Sequence, residues 1–196
     1  MWDTSAWTTQ PPVVFQGMNE DVSVLAFAPD GQTLVAGYDN GDVAVWNFNR
    51  QEINQMISGH SQVVTALGFS PFEEALLLST GSFDQTILLN NLFAPQSLNT
   101  QLAEDLGSPT RLSMNPDNKL VAGGDTAGAL SLWEIDPSTG EKTQLNSGET
   151  LPNAGFALSP DGKHLAAIQA DGQIHISEIG GAEIQNIPIP ERAVEI

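Results

Sequence analysis

The chain has 196 residues, and 24 acidic residues against 6 basic ones give it a formal net charge of −18 at pH 7. Six scattered cations cannot build the basic face that binds phosphates or anionic headgroups, so neither nucleic acid nor a membrane is expected as a partner. Cysteine is absent, which excludes disulfides, thiolate nucleophiles and thiolate metal ligands.

The distribution of apolar residues favours strands over helices. They make up 40% of the chain but occur in short runs and never collect into a helix-length face, which predicts an all-β fold. The length suits one domain or a part of one. No run approaches the roughly 18 apolar residues that cross a bilayer, and the start at Met1 shows neither a basic segment nor an apolar secretion core. We therefore expect a soluble, cytoplasmic protein.

Three sequence markers recur in the same order along the chain. The first is an apolar-x-Pro turn whose prolines, at positions 29, 71, 116 and 160, are 42, 45 and 44 residues apart. A second turn ends 12 to 14 residues after each proline, and a tryptophan or its substitute follows five residues later. The markers predict an internal repeat of about 44 residues. The second turns are Asp39-Asn40-Gly41, Phe83-Asp84-Gln85, Thr126-Ala127-Gly128 and Ala170-Asp171-Gly172.

The segments between these markers are typical of antiparallel strands. Residues 22–27 and 63–69 are nearly continuous apolar runs, which predicts strands covered on both faces. The next strands, residues 34–37 and 120–123, carry small residues where neighbouring backbones would come close. Residues 51–57 mix polar and apolar positions, so we expect this strand to lie half exposed on a rim. Pro-Asp-Gly between the first two strands suits a tight hairpin turn.

The repeat resembles the WD repeat, most closely in the second unit, which opens with Gly59-His60-Ser61-Gln62 and continues to Phe69-Ser70-Pro71. The resemblance covers essentially the whole chain and implies an all-β fold, a β-propeller built of four-stranded antiparallel blades. It divides residues 1–196, one WD-repeat propeller domain, into units at about 20–58, 59–106, 107–150 and 151–189, with partial repeats at 1–19 and 190–196.

The resemblance also implies a polar relay in each blade, in which a His, a Ser or Thr, the turn Asp and the blade Trp are hydrogen-bonded in series. The structural positions that match are Trp46, His60, Asp84, Trp133 and Asp171, with Ser79 or Thr80 as the hydroxyl of the second unit. The chain departs from the pattern at Asn90 and Ser177, which replace Trp, and at Ala127, which replaces the turn Asp. A half-satisfied buried network costs stability, so we expect these blades to depend mainly on apolar packing.

Both ends of the chain fall inside a repeat. Trp2 lies where a preceding repeat would end, and residues 192–196 resemble the opening of another first strand. Three arrangements stay open: a piece of a longer propeller, a complete small propeller, and a ring completed by a second chain. Terminal blades with unpaired strand edges also predict self-association.

The search for chemistry in the sequence predicts no catalytic residue, no metal site and no cofactor. His60, His164 and His175 lie in different units without the short spacing of a metal site, and we expect the last two to be ordinary strand residues. The Asp-Gly pairs lack the ligand spacing of a calcium loop and are interpreted as hairpin turns. No glycine-rich phosphate loop and no Gly-x-Ser-x-Gly turn is present.

The resemblance therefore implies a non-catalytic scaffold that binds a protein or peptide, as the WD-repeat region of a larger signalling or assembly protein. The acidic charge favours a basic partner. Candidate partner-binding residues are Asp39, Gln62 and Phe83, because the family's wider face carries these loops; the other interpretation of Phe83 is packing on the neighbouring blade. The alternative function is an enzymatic or small-ligand-binding propeller with its site at the central channel, for which the units show no shared cluster of His or acidic residues.

Overall fold

A computed structural model describes eleven stretches of the chain. In these stretches every regular element is a strand, so the predicted all-β fold is confirmed. The strands form four sheets, each of four consecutive strands that pair antiparallel in chain order. The described stretches are residues 14–69, 76–81, 84–92, 100–103, 109–115, 120–125, 128–135, 142–149, 155–169, 171–179 and 183–188.

The first and second sheets are separated by the link between Ile57 and Val64. The first sheet comprises β1 (Val22–Phe27), β2 (Thr33–Tyr38), β3 (Val43–Asn47) and β4 (Glu52–Ile57). The second sheet comprises β5 (Val64–Phe69), β6 (Leu76–Gly81), β7 (Ile87–Asn91) and β8 (Thr100–Ala103).

The third and fourth sheets repeat the same order of strands. Each of the four sheets lies within one of the four repeat units. The third sheet comprises β9 (Pro109–Met114), β10 (Leu120–Asp125), β11 (Ala129–Ile135) and β12 (Lys142–Glu149). The fourth sheet comprises β13 (Phe156–Leu158), β14 (His164–Ile168), β15 (Gln173–Glu178) and β16 (Glu183–Pro188).

The Pro-Asp-Gly segments form hairpin turns between the first two strands of a sheet. After β1 the carboxylate of Asp30 accepts hydrogen bonds from the backbone N–H groups of Gln32 and Thr33, at 2.8 and 2.9 Å. Gly31 has a φ of 64°, a left-handed conformation that glycine adopts without strain. The carboxylate of this turn thus closes its own hairpin, and Asp161 acts likewise after β13 by accepting a bond from the N–H of Lys163.

The first strands of successive sheets lie against one another, β1 on β5, β5 on β9 and β9 on β13. Two hydroxyls join neighbouring sheets at the same strand position. Ser23 Oγ donates to the carbonyl oxygen of Val64 at 2.6 Å, and Thr65 Oγ1 donates to that of Pro109 at 2.7 Å. Ser23 and Thr65 are each the second residue of their strand, so the sheets are stacked in register along their inner edge.

A valine-rich core lies between the first and second sheets and buries Val35, Val43, Val45, Ile57 and Val64. Gly37 of β2 faces this core, and a methyl group placed on it would lie 2.8 Å from side-chain carbons of both Val24 and Val64. Only glycine fits such an approach, which confirms the expected crowding for β2. The corresponding side chains of β10 lie outside the described residues.

The prediction that β1 is covered on both faces was wrong. Leu25 is 59% exposed and Phe27 is 48% exposed, whereas Val64 and Ala66 of β5 are buried. The two strands differ in what packs on them. β5 lies between two sheets, whereas the described residues place only the segment 14–18 on the face of the first sheet that points away from the second sheet. The outer strand β4 is mostly exposed, as its mixed pattern predicted.

Candidate functional site

Three loops come together at one edge of the first two sheets. They are the turn between β2 and β3 (residues 39–42), the link between β4 and β5 (residues 58–63) and the turn before β7 (residues 84–86). Antiparallel pairing places all three at the same edge. Asp39 and Gln62 are exposed there, as a partner-binding role requires. Phe83 lies outside the described residues.

The first of these loops packs directly on the second. Gly41 has a φ of 89°, and a methyl group on it would collide with the carbonyl oxygen of His60 and lie 2.9 Å from that of Gln62. The glycine therefore allows the turn carrying Asp39 to approach the link carrying Gln62. The structure thus brings two of the three candidate binding residues onto one continuous surface.

The second loop is held to the third by a buried His–Asp pair. His60 Nδ1 lies 2.8 Å from Asp84 Oδ2, and their side chains are only 1% and 7% exposed. The same carboxylate oxygen accepts the backbone N–H of Ser61 at 3.1 Å, while Oδ1 accepts the N–H and the hydroxyl of Thr86, both at 3.0 Å. One carboxylate therefore fixes both loops, and the edge is rigid at this point.

The electrostatics of Asp84 support a structural role. Burial raises its pKa, but the hydrogen bond from the backbone of Thr86, the charge of His60 and the remaining hydrogen bonds outweigh burial and hold the pKa below the ordinary value. The carboxylate is ionised at neutral pH, and its oxygens are occupied by these hydrogen bonds. It is not positioned to transfer protons to a substrate.

Thr86 is a residue that the sequence analysis missed. Its hydroxyl lies 3.1 Å from His60 Nδ1 and so joins the pair. The side chains of Ser79 and Thr80, the expected hydroxyls, lie outside the described residues. The Asp-x-Thr spacing could have indicated Thr86, because an Asp side chain commonly accepts bonds from the residue two positions later.

The fourth sheet contains a second His–Asp pair, whose two residues are only four positions apart and do not join two loops. His175 Nε2 lies 2.9 Å from Asp171 Oδ2, and the two side chains are 9% and 45% exposed. His175 is a residue of strand β15, as expected, and the strand directs its imidazole back to the turn that precedes it. A hydrogen bond from the backbone of Gln173 and then the bond from His175 lower the pKa of Asp171. His164 is half-buried and lies 3.9 Å from Asp161.

The blade tryptophans lie near the end of the third strand of a sheet, away from the turn edge that carries these polar pairs. Trp46 of β3 is buried and makes an edge-to-face contact with Phe15, at a centroid distance of 5.4 Å. Trp133 of β11 is buried as well. At the same position of β7, Asn90 is fully buried, and neither polar atom of its side chain has a hydrogen-bond partner among the described residues.

Two searches of the described residues bear on other kinds of site. They contain no group of three or more His, Asp or Glu side chains that could hold a metal ion. No helix among them is long and apolar enough to span a bilayer.

Comparison with known proteins identifies similar chains. Residues 5–72 match the family model described as the anaphase-promoting complex subunit 4 WD40 domain. The chain is 27% identical over 167 residues to the periodic tryptophan protein 2 homolog of Dictyostelium discoideum, which covers 84% of this chain and 18% of that protein. It is 28% identical over 182 residues to cell division cycle 20.1, cofactor of APC complex, of Arabidopsis thaliana. This match covers 87% of the present chain and 39% of that protein.

A third relative is autophagy-related protein 16 of Arabidopsis thaliana, which is 24% identical over 184 residues and covers 94% of this chain. The match takes in 35% of that protein. The chain thus spans less than two fifths of each of these three relatives.

Proposed function

We propose that the chain, which matches a WD40 domain model over residues 5–72, is a non-catalytic platform that binds a protein or peptide. The observation that carries the proposal is the loop edge at residues 39–42, 58–63 and 84–86. Its loops are locked together by Gly41 and by the His60–Asp84 pair, while Asp39 and Gln62 project into solvent. A surface that is fixed before binding loses little conformational entropy on binding, which favours affinity.

The names of the relatives support assembly rather than catalysis. One is named a cofactor of the APC complex, and the matching family model is named after a subunit of the anaphase-promoting complex. Since the chain spans only part of each relative, we propose that it acts as the WD-repeat region of a larger assembly or signalling protein. The net charge of −18 supports a partner with a basic contact surface.

The test of this proposal compares proteins captured by the full chain and by variants of matched charge change. Asp39→Asn combined with Gln62→Ala alters the loop edge, whereas Glu178→Gln alters an exposed residue at the end of β15, on the opposite edge. We expect the double variant to lose a defined set of captured proteins that the Glu178→Gln variant retains. Identical capture by both variants and the parent would show that the loop edge is not the binding surface.

We further propose that the chain associates with itself through the outer face of the first sheet, on which the described residues place only the segment 14–18. Val22, Leu25 and Phe27 are exposed there and border an apolar groove of about 740 Å³. Leu25→Gln should shift the chain towards monomer in light scattering after gel filtration. Ile53→Gln, at an exposed apolar residue of β4, should leave the distribution unchanged. A parent chain that is already a monodisperse monomer would contradict this proposal.

A further inference from the structure

A second pocket lies at the inner edge of the array, where the first strands of all four sheets meet. Its volume is about 270 Å³. Five of its seven described lining residues are apolar, and one residue or more comes from each of β1, β5, β9 and β13. This wall includes Val24, Leu67, Leu112 and Phe156. The pocket therefore forms only where the sheets stack, and no single sheet contains it.

One cation stands in this apolar wall. Arg111 is the third residue of β9, it is exposed, and its Nη1 reaches the start of the fourth sheet, where a methyl group on Gly155 would lie 3.4 Å from it. Among the cations of the described residues it alone belongs to a first strand. The other three, Arg50, Lys142 and Lys163, lie outside the first strands.

The guanidinium of Arg111 is available to a ligand. No carboxylate of the described residues forms an ion pair with it, although the chain carries 24 acidic residues. The other polar side chain of the described wall, Thr65, already donates its hydroxyl hydrogen to Pro109. Arg111 is therefore the donor that this wall can offer to a bound group.

We propose that this pocket binds a carboxylate carried on a small apolar body, with Arg111 as the recognition residue. The planar fork of a guanidinium matches a carboxylate with two parallel hydrogen bonds, and the apolar residues beside it can contact the apolar body. A single cation in a chain of charge −18 favours a monoanion over a phosphate dianion, which needs more positive charge. The volume lies below the usual range of drug-sized ligands, which fits one side chain or a chain terminus.

This inference rests on the proposed function, because the carboxylate would be an acidic side chain or a C-terminus of the bound peptide. A partner can combine this contact with basic residues elsewhere. The loop edge would then meet the basic part, while the pocket accepts the carboxylate. The capture experiment with Asp39 and Gln62 tests the platform, and a small-molecule experiment tests the pocket alone, so the two can fail separately.

The small-molecule experiment uses phenylbutyrate with phenylbutanol and phenylbutylamine as matched neutral and cationic probes, titrated into the full chain by calorimetry or ligand-observed NMR. We expect the carboxylate to bind about tenfold or more tightly than the alcohol, the usual strength of a charge-assisted hydrogen bond. Arg111→Gln should remove this preference. Arg50→Gln, which removes an equal charge in the turn before β4, should retain it.

Arg111 is exposed, so the Arg111→Gln variant should keep the circular dichroism spectrum and melting temperature of the parent. If that variant fails to fold, Arg111→Lys serves instead, because it keeps the charge without the fork and should retain a reduced preference for the carboxylate. Equal binding of the three probes, absence of binding by all of them, or equal losses from Arg111→Gln and Arg50→Gln would overturn the proposal.

Discussion

The first and second sheets contain opposite halves of the polar relay that the family resemblance implies. The first sheet has the blade tryptophan, Trp46, but Asn40 stands where the turn aspartate is expected. The second sheet has the buried pair of His60 and Asp84, but Asn90 stands where the tryptophan is expected. A sheet of this kind can therefore contain either the buried tryptophan or the charged pair, and it does not need both.

The third and fourth sheets repeat the contrast. Trp133 is buried in the third sheet, where Ala127 replaces the turn aspartate. In the fourth sheet Asp171 pairs with His175, and Ser177 replaces the tryptophan. Apolar burial and charge-assisted hydrogen bonding thus alternate along the array as ways to stabilise a sheet. The two respond differently to mutation and to pH, which makes the contrast testable.

The largest effect should come from the tryptophans. Trp46→Ala or Trp133→Ala should lower the free energy of unfolding by about 3 to 5 kcal/mol, because each deletes a large buried side chain. Urea denaturation followed by circular dichroism measures this loss. Trp46→Phe retains most of the apolar area and should cost about 1.5 kcal/mol or less. Losses below roughly 1 kcal/mol for both alanine variants would show that the tryptophans do not stabilise the first and third sheets as proposed.

The charged pair of the second sheet should contribute less. Asp84→Asn keeps the size of the side chain but removes the charge that His60, Ser61 and Thr86 contact, so we expect a loss of about 2 kcal/mol in the same assay. Asp171→Asn is the matched variant in the fourth sheet. Its side chain is 45% exposed against 7% for Asp84, so solvent screens its pair and the loss should be smaller. Equal losses would contradict this ranking.

The charged pair also predicts a pH dependence that the tryptophans do not share. The pKa of Asp84 is lower in the folded chain than the ordinary value of 3.8, so the folded state binds its proton less readily than the unfolded state. The resulting stability is complete above the unfolded pKa and is lost as pH falls from about 4 through the folded pKa. Denaturation at a series of pH values should show this decline, and Asp84→Asn should reduce it while Trp46→Phe should not.

A smaller effect, of opposite sign, is expected at Asn90. Its amide is fully buried, and its polar atoms lack partners among the described residues, so removing them should be favourable. Asn90→Val, a residue that strands favour, should raise the free energy of unfolding by about 1 kcal/mol. Asn90→Asp buries a charge at the same site and should lower it. A destabilising Asn90→Val would show that the amide is satisfied in solution.

The repeat architecture could be predicted because its signals are local and recur. Turn prolines and glycines at constant spacing identify hairpins wherever they occur, and Gly31 and Gly37 occupy the tight sites that their patterns indicated. The exposure of Leu25 could not be predicted, since an apolar run shows that a strand can be buried and not whether a sheet lies on each side.

The polar contacts were only partly predictable for a related reason. His60 and Asp84 follow from their positions in the repeat, and the structure joins them at 2.8 Å. The contacts of Thr86 and His175 depend on the direction in which their side chains point after the turn, and a sequence motif does not contain this information. Arg111 belongs to no motif, and its place in a shared pocket becomes visible only when the first strands are stacked.

The smallest effect concerns binding and uses Asp39 in the first sheet. Its carboxylate is exposed, so its main contribution to a complex is long-range attraction of a basic partner, which speeds association more than it slows dissociation. The screening length falls from about 10 Å at 0.1 M salt to about 3 Å at 1 M, so Asp39→Asn should lower the association rate at low salt and leave it unchanged at high salt.

The variant to compare with Asp39→Asn is Phe83→Ala, because the sequence predicts that it changes the dissociation rate more than the association rate. If Phe83 is an aromatic anchor, burying it would contribute roughly 2 kcal/mol through apolar area, and its loss should mainly accelerate dissociation at either salt concentration. Surface plasmon resonance at two salt concentrations, with a partner obtained by capture, separates the two effects. If Asp39→Asn and Glu178→Gln change the association rate equally, the attraction arises from net charge alone, and the loop edge has no special part in guiding the partner.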